Sequence, residues 1–518
     1  MSDELKAVVR DIAVALHIPA AMALASFPVA LLADETRAAA VFAITGLAVG
    51  ALAHAGFRAC RVEHVLGTRL AMTTVVIAWG LVPCVGLLPF LALGLHAETL
   101  RAFPEVAVFA DPWAAAFESF SGFTATGLTL VDDESGLPVA LQWWRSFSQW
   151  IGGVGVVVLM LTVFHPSHDA RRLYFSEGRE QSVGRDLLEG VRTIWWIYLA
   201  FTAFAILLLR ITGMDWWQAV NFGMTGIATG GFSVTDNNLG DFGTAPRLAM
   251  MGIVLLGAIS FGIHVRLLTG GRFWLLWRDA ETRALLLLLA AGSAVLLLEN
   301  HWSTGRWQVV DSAFQWFSAL GTAGFNTVDV ATWSPAAQLW MVLGMVVGGA
   351  AGSTVGGLKL GRVLRVVGAA ARRVKAVAAH PSRLVNRKRL SDDEQETAAR
   401  ALEAATTMMT IWAVILFVGT MMLLHAAPAG TDLSRVLFEV TSALGNVGLS
   451  AGVTNPELPW WGKAGLMLIM WMGRLEAVPV LVALVLLLRP VMHRLDAIEE
   501  RVENGRKGKG GKGRRKSG

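Results

Sequence analysis

The segment Phe117-Glu-Ser-Phe-Ser-Gly-Phe-Thr-Ala-Thr-Gly127-Leu-Thr decides how this chain folds, because related segments return three times further along the sequence. They are Asn221-Phe-Gly-Met-Thr-Gly-Ile-Ala-Thr-Gly-Gly231-Phe-Ser, Phe314-Gln-Trp-Phe-Ser-Ala-Leu-Gly-Thr-Ala-Gly324-Phe-Asn and Phe438-Glu-Val-Thr-Ser-Ala-Leu-Gly-Asn-Val-Gly448-Leu-Ser. Each combines amphiphilic, helix-like sequence with a glycine, then Leu or Phe, then Thr, Ser or Asn. Their glycines stand 104, 93 and 124 residues apart (127 to 231, 231 to 324, 324 to 448). Four copies at such spacing predict internal symmetry.

None of the four segments is long enough to cross a membrane as a helix. A helix of roughly 14 residues reaches about 20 Å, whereas the hydrocarbon core of a bilayer is about 30 Å thick. Long apolar segments flank each copy, which predicts a short helix and a loop that enter the membrane and return. Non-helical backbone at that depth must be buried in protein or line water.

Four such re-entrant loops around one axis would line a pore. Glycine at the turning point adopts positive φ without steric cost, which lets successive carbonyl oxygens face the axis. Those oxygens replace the hydration shell of a monovalent cation, and the C-terminal ends of the four helices add partial negative charge. A single copy would be interpreted as a glycine-rich connection between membrane helices, whereas four copies in register favour the pore.

The composition places the chain among polytopic membrane proteins, since 54% of its 518 residues are hydrophobic and only 16% are charged. Cys60 and Cys84 provide neither a disulfide framework nor a metal-binding spacing. The net charge of +5 comes from arginine-rich loops and from the tail 501–516. This pattern indicates topology and contact with anionic membrane lipid, and we expect no nucleic-acid partner.

We do not expect an enzyme. The sequence has no His-Glu-x-x-His motif, no cysteine cluster and no Gly-Lys-Ser/Thr nucleotide loop. His165-Pro-Ser-His168-Asp169 has a faint likeness to a metal site, but the 11 histidines are scattered.

Ten apolar segments predict an all-α polytopic membrane protein, with two extra N-terminal transmembrane helices before four helix–re-entrant loop–helix repeats. The segments lie near 11–33, 37–57, 70–98, 142–164, 191–212, 245–270, 281–299, 336–366, 401–425 and 461–489. The predicted units are an N-terminal helix pair (1–66), pore repeats 67–168, 169–272, 273–390 and 391–492, and a charged cytoplasmic tail (493–518).

The charges predict the orientation of these segments. Arg and Lys concentrate in 165–192, 266–283, 362–389 and the tail, so both termini are expected in the cytoplasm and the loops open outward. Carboxylates near the loops would form an outer ring that concentrates cations, or would be ordinary solvated charge. These residues are Asp111, Glu118, Asp132, Asp133, Asp215, Asp236, Asp311, Asp329 and Asp432.

Seven short motifs follow one another along the chain in a characteristic order. They are Thr124-Ala-Thr-Gly127-Leu-Thr, Trp144-Arg-Ser-Phe-Ser-Gln-Trp-Ile-Gly-Gly-Val-Gly155, Ala228-Thr-Gly-Gly231-Phe-Ser, Thr322-Ala-Gly324-Phe-Asn-Thr327, Gly348-Gly-Ala-Ala-Gly-Ser-Thr-Val-Gly-Gly357-Leu-Lys, Gly445-Asn-Val-Gly448-Leu-Ser and Gly473-Arg-Leu-Glu476. In this order the chain resembles the Trk/Ktr/HKT superfamily of potassium transporters from about residue 5 to about residue 490. The two extra N-terminal helices favour its bacterial TrkH-like branch.

The resemblance implies potassium uptake across the cell inner membrane through a gated, channel-like pore formed within one chain. The family's filter glycines correspond to Gly127, Gly231, Gly324 and Gly448, although the pair Gly230-Gly231 leaves the second loop's register open by one residue. An intact set implies a preference for potassium, with rubidium tolerated, and potassium bound only at this filter. The implied filter residues are Thr124, Ala125, Thr126, Gly127, Ala228, Thr229, Gly230, Gly231, Gly321, Thr322, Ala323, Gly324, Gly445, Asn446, Val447 and Gly448.

A glycine-rich run interrupts the apolar segment 336–366. It either packs closely against a neighbouring helix through small residues or, as the resemblance implies, forms an intramembrane gating loop (345–358) under the filter. The gate residues implied there are Gly348, Gly349, Gly352, Ser353, Thr354, Gly356 and Gly357. Lys359, Arg362 and Arg365 are expected to anchor the chain at the interface just beyond it.

Arg474 lies inside the otherwise apolar final segment, two residues before Glu476. An ionisable residue at that depth is costly and therefore a functional candidate, and residues two apart do not share a helix face. The resemblance implies that its charge repels cations and holds the gate shut. A snorkelling or structurally paired arginine is the alternative.

The resemblance also implies partners. Pore subunits of the family pair as homodimers and are regulated by a separate cytosolic TrkA-like ring that binds nucleotides (ATP/ADP or NAD(H)), whereas this chain itself is expected to bind none. An ion-coupled symporter, driven by H⁺ or Na⁺, remains the alternative. Four repeats of one orientation favour the channel-like pore, because coupled transporters typically show inverted repeats.

Overall fold

The computed structural model describes residues 2–62, 66–163, 187–271, 273–378 and 392–486. Across these ranges the chain is helical and contains no strand, as the sequence predicts. The predicted unit boundaries near residues 168, 390 and 492 lie outside the described residues, as do His165, His168, Asp169 and the charged tail.

Helices α1 (Asp3–Leu32) and α2 (Thr36–Ala59) form the N-terminal pair. Small residues let them approach closely, and a Cβ built on Gly46 would lie only 2.7 Å from Cγ of Leu24. Glu35, in the turn between them, accepts hydrogen bonds from the backbone N–H groups of Val139 (2.7 Å) and Ala140 (3.0 Å). This contact fixes the pair to the first helix that follows the first loop.

Four units follow, each built around a helix of 12 residues. The first contains α3 (Thr68–Gly86), α4 (Leu88–Gly94), α5 (Ala97–Ala102), α6 (Pro112–Phe123) and α7 (Val139–Val163), with a 3-10 turn at Pro104–Ala110. The second contains α8 (Leu187–Ile211), α9 (Trp216–Ile227), α10 (Thr244–Ala258) and α11 (Phe261–Gly270). The third contains α12 (Trp274–Arg278), α13 (Ala280–Thr304), α14 (Val309–Leu320), α15 (Pro335–Val347) and α16 (Leu360–Ala378). The fourth contains α17 (Asp392–Ala426), α18 (Leu433–Leu444), α19 (Trp460–Leu475) and α20 (Ala477–Leu486).

The four short helices, α6, α9, α14 and α18, begin at equivalent positions. Their N-caps are Asp111, Asp215, Gln308 and Asp432, each 16 residues before the glycine of its loop (111 to 127, 215 to 231, 308 to 324, 432 to 448). The carboxylate of Asp111 accepts from a backbone N–H of the first turn, and Asp215 forms a capping box with Gln218. The repeat found in the sequence is therefore a repeat of structure.

Six described helices are long and apolar enough to cross a bilayer, and two bent pairs raise the number to eight. The six are Asp3–Leu32, Thr36–Ala59, Leu70–Gly94, Glu189–Ile211, Ala280–Thr304 and Gln395–Ala426. Of the two other predicted spans, α7 fills 142–163 as one helix, and a non-helical segment divides 336–366 between α15 and α16. The chain is thus a multi-pass membrane protein.

Two predicted spans are bent, which the apolar pattern does not indicate. α10 and α11 meet at 96°, and α19 and α20 meet at 115°. At the first bend the backbone N–H groups of Ala350 and Thr354 donate to the carbonyl oxygens of Ala258 (3.1 Å) and Gly257 (3.2 Å). The segment that interrupts the third unit therefore satisfies backbone groups freed in the second, which is what such a break requires inside a membrane.

Candidate functional site

All four short helices end in the same left-handed turn. The residue after each C-cap has positive φ: 51° at Ala125, 51° at Thr229, 41° at Thr322 and 50° at Asn446. The next N–H reaches back to the carbonyl five residues earlier, as from Thr126 to Ser121 (2.9 Å), with equivalent bonds of 2.8 to 2.9 Å in the other three loops. This double turn is a Schellman motif, which closes the helix and redirects the backbone.

Two residues after this left-handed position, all four loops have a glycine with positive φ: 101° at Gly127, 86° at Gly231, 76° at Gly324 and 95° at Gly448. These angles resolve the register of the second loop in favour of Gly231, because Thr229 and Gly231 match their counterparts in the other loops. An L side chain is disfavoured at such angles. The four loops (124–128, 228–232, 321–325 and 445–449) therefore share one backbone conformation.

The four glycines also form a closed ring. A Cβ on Gly127 would lie 2.1 Å from the carbonyl oxygen of Gly230, and one on Gly231 would lie 2.7 Å from the Cα of Gly324. A Cβ on Gly324 would lie 2.4 Å from the carbonyl oxygen of Val447. A Cβ on Gly448 would lie 2.2 Å from the carbonyl oxygen of Thr126, in the first loop. Each loop thus touches the next, and the fourth returns to the first.

Side chains behind the ring support its backbone. The hydroxyl oxygens of Ser121 and Ser442, both six residues before their glycines, accept from the N–H of Gly127 and Gly448 at 3.0 Å. Asn446 in the fourth loop donates to the hydroxyl of Thr126 in the first (2.9 Å). All are buried.

Three buried residues of the first unit, unrecognised as site residues in the sequence, hold the first two loops together. Gln149 donates to the carbonyl of Gly230 (2.6 Å) and accepts from the N–H of Phe232 (3.0 Å). Arg145 pairs with Glu118 (2.6 Å) and donates to the carbonyl of Ser233 (2.8 Å). The prediction that Glu118 belongs to an outer ring of exposed carboxylates is therefore wrong, because its side chain is fully buried.

The segment 348–359, between α15 and α16, lies against the ends of the short helices. The N–H of Gly356 donates to the hydroxyl of Thr322 (2.8 Å), and that of Gly357 donates to the carbonyl of Gly445 (3.1 Å). The hydroxyl of Thr354 donates to the carbonyl of Ile227 (3.2 Å). This single segment contacts the second, third and fourth loops, and a Cβ on Gly356 would lie 1.9 Å from the carbonyl oxygen of Gly445.

Arg474 connects this segment to the first unit. Its guanidinium donates to the carbonyl oxygens of Thr354 (3.2 Å), Gly152 (2.5 Å) and Gly153 (2.6 Å). Glu476 pairs with Arg362 (2.6 Å), which is buried. The expectation that Arg362 is an interfacial anchor is therefore wrong.

Comparison with known proteins identifies the family of this chain. A family model described as the TrkH cation transport protein matches residues 89–492. The chain belongs to the TrkH family of cation transport proteins. It is 33% identical over 370 residues to an uncharacterised cation transporter of Methanocaldococcus jannaschii, covering 71% of this chain and 75% of that protein.

Members of the TrkH family with potassium in their names are also similar. The Trk system potassium uptake protein TrkH of Escherichia coli K12 is 29% identical over 434 residues, covering 80% of this chain and 85% of that protein. The crystal structure of the potassium transporter TrkH from Vibrio parahaemolyticus superimposes with a TM-score of 0.76 at 26% identity, covering 92% of this chain and 98% of that one. The chain therefore has the fold of the TrkH transporter.

Proposed function

We propose that this chain takes up potassium through a gated, channel-like pore whose selectivity filter is the ring of four loops. The closed contact from Gly127 through Gly231, Gly324 and Gly448 back to the first loop carries the proposal. Four backbone turns of one conformation around an axis present carbonyl groups from all sides, which is how a protein replaces the water around a monovalent cation. The relatives named potassium uptake proteins support potassium as the ion.

The segment 348–357 together with Arg474 is the proposed gate. Its backbone N–H groups donate to Gly445 at the end of the fourth short helix and to Thr322, and the hydroxyl of Thr354 donates to Ile227 at the end of the second, which supports a position against the proposed filter. The guanidinium of Arg474 donates to Thr354 within this segment. A positive charge at that place repels cations, and its hydrogen bonds hold the segment against the first unit.

The proposed setting follows the TrkH relatives. The chain would lie in the cell inner membrane with both termini in the cytoplasm, pair as a homodimer and be regulated by a cytosolic TrkA-like nucleotide-binding ring. Relatives named as parts of a Trk system support such additional components. No nucleotide site is assigned to this chain.

Flux into liposomes that contain the purified chain tests the filter. We expect Rb⁺ and K⁺ to enter faster than Na⁺ and Gly127→Ser to lose that preference, because its side chain would collide with the second loop. Gly252→Ser is the matched control, since nothing lies within 4 Å of a Cβ at that position. Equal preference in wild type and Gly127→Ser would contradict the proposed filter.

The same assay separates the pore from ion-coupled symport. A pore passes K⁺ down its own gradient with no gradient of H⁺ or Na⁺. Uptake that requires either gradient in folded protein would instead establish the symporter.

A further inference from the structure

One position recurs in the helix that follows each loop. The fourth residue is Gln142 in α7, Arg247 in α10, Gln338 in α15 and Lys463 in α19. All four are polar residues in the first turn of a predominantly apolar helix. We call them the clasp residues.

Three clasp residues bind the segment that leads from the loop of their own unit back to the helix. Gln142 donates to the carbonyl oxygen of Leu137 (3.1 Å), and Gln338 donates to that of Val330 (3.1 Å). Arg247 donates to the carbonyl oxygen of Gly240 (2.9 Å). These three clasp side chains therefore fix where the chain goes after the first three loops.

Every clasp residue also contacts the start of the short helix in the next unit. Gln142 accepts from the indole N–H of Trp217 in the second unit (2.7 Å), and Arg247 pairs with Asp311 in the third (3.0 Å). Gln338 accepts from the hydroxyl of Ser434 in the fourth unit (2.9 Å). Lys463 pairs with Asp111 of the first unit (2.7 Å). These contacts form a second closed ring, at the opposite ends of the short helices from the ring of glycines.

The second ring alternates in character. The contacts from the first to the second unit and from the third to the fourth are neutral hydrogen bonds. The contacts from the second to the third and from the fourth back to the first are ion pairs, so opposite seams carry the charge. Burial raises the pKa of Asp111, but hydrogen bonds from Lys463 and the backbone N–H of Trp113 lower it by more, so this carboxyl remains ionised at neutral pH.

We propose that the four clasp residues are positioning residues that set the distances between neighbouring filter loops, and thereby the discrimination between cations. This inference rests on the proposed function. The short helices carry the loops at their C-terminal ends, and the clasps fix their N-terminal ends, so a loosened seam changes the spacing of the loops. Discrimination by carbonyl groups depends on cavity size or on the number and field of the carbonyls, and both change with that spacing.

The seam between Lys463 and Asp111 gives the sharpest test, through Lys463→Met, Asp111→Asn and the double variant in liposomes. Asparagine caps a helix as well as aspartate, so Asp111→Asn removes the pair but retains the cap. We expect each single variant to lower the Rb⁺/Na⁺ flux ratio at least threefold. Because both substitutions break the same pair, the ratio of the double variant should be no lower than that of the more strongly affected single variant. Arg37→Met is the control, because its pair with Glu98 (3.1 Å) is exposed and joins α2 to α5, neither of which is one of the four short helices.

Other outcomes would overturn the inference. Lower melting temperatures with an unchanged flux ratio would show that the seam only stabilises the fold. Opposite changes in total flux, lower in Asp111→Asn and higher in Lys463→Met, would show that Asp111 acts by attracting cations. A wild-type chain without preference would contradict the proposed function instead. In that case the contact between Lys463 and Asp111 would be tested by melting temperatures alone. The double variant should then lose less than the sum of the two single variants, and additive losses would refute the contact.

Discussion

The buried ion pair behind the first two loops leads to a quantitative prediction. Arg145 and Glu118 have fully buried side chains, their charged atoms lie 2.6 Å apart, and the guanidinium lies 4.2 Å from the centre of the Phe232 ring. In Arg145→Met the carboxylate of Glu118 loses its charged partner. Among the described residues, the hydroxyl of Thr129 (3.0 Å) is then the one side chain that still donates to it. Removing one member of a buried pair typically costs about 3–5 kcal/mol, because the other charge is left uncompensated.

A double-mutant cycle separates this cost from lost packing. Arg145→Met should lower the free energy of unfolding by about 3–5 kcal/mol. Adding Glu118→Gln removes the stranded charge and should recover at least about 2 kcal/mol of that loss, since a buried pair replaced as a whole costs less than one that is broken. The assay is equilibrium unfolding of the four proteins in the same lipid–detergent micelles, together with the Rb⁺/Na⁺ flux ratio.

Arg400→Met provides the comparison, because Arg400 and Glu396 form an exposed pair on one helix, worth less than about 1 kcal/mol. Arg145→Met should also lower the flux ratio, since Arg145 holds the backbone just after Gly231. A loss no larger than that of Arg400→Met, or additive losses in the cycle, would refute the reasoning.

Three further predictions concern the proposed gate and the largely buried carboxyl of Glu134. Arg474→Ala should raise basal cation leak at least threefold, because it removes a positive charge and the hydrogen bond to Thr354; unchanged flux in folded protein would exclude the barrier role. Gly356→Ala should also raise leak, since its Cβ would lie 1.9 Å from the carbonyl oxygen of Gly445 and displace the segment; a tight, unchanged gate would contradict this. Burial raises the pKa of Glu134 to about 7, although the charge of Arg145 lowers it. The contribution of Glu134 to the free energy of unfolding is therefore greatest below its ordinary pKa of 4.5 and falls by up to about 3 kcal/mol as the pH rises to 7. Melting temperatures between pH 5 and 8 should therefore fall more in wild type than in Glu134→Gln, and parallel curves would rule this out.

The repeated loops were accessible to sequence reasoning because their geometry depends on short local patterns. A positive φ and contact with a neighbouring backbone both disfavour a side chain, so Gly127 and its three counterparts are recognisable in the sequence of each copy. The double glycine of the second loop was ambiguous, since both residues fit the pattern. Only the backbone angles distinguish Gly230 from Gly231.

The support around the loops was not accessible in the same way. Glu118 and Arg145 are 27 residues apart on different helices, and Arg362 and Glu476 are 114 apart in different units, so each partner becomes evident only after the helices have packed. A charged residue near a loop therefore looked like solvent-exposed charge. One sequence signal for this support was available. The fourth residue of each helix that follows a loop is polar, as Lys463 is in α19.

The bend in the second unit was hidden from sequence reasoning for a similar reason, because it depends on residues far away in the chain. The apolar pattern at 245–270 continues through the bend, and the backbone groups freed there are satisfied by Ala350 and Thr354, about 90 residues away. Hydrophobicity reports burial in the membrane and is insensitive to such distant partners. The glycine-rich run 348–357 was different, because five glycines in ten residues interrupt the helix locally.

Locating the bound ion tests the central claim most directly. Crystals of the chain grown in Rb⁺ or Tl⁺ should give an anomalous peak on the axis between the four loops, surrounded by backbone carbonyl groups of residues 124–127, 228–231, 321–324 and 445–448. Replacing the ion with Na⁺ should abolish that peak. Strong peaks bound to side-chain carboxylates elsewhere, with none inside the ring of glycines, would contradict the account.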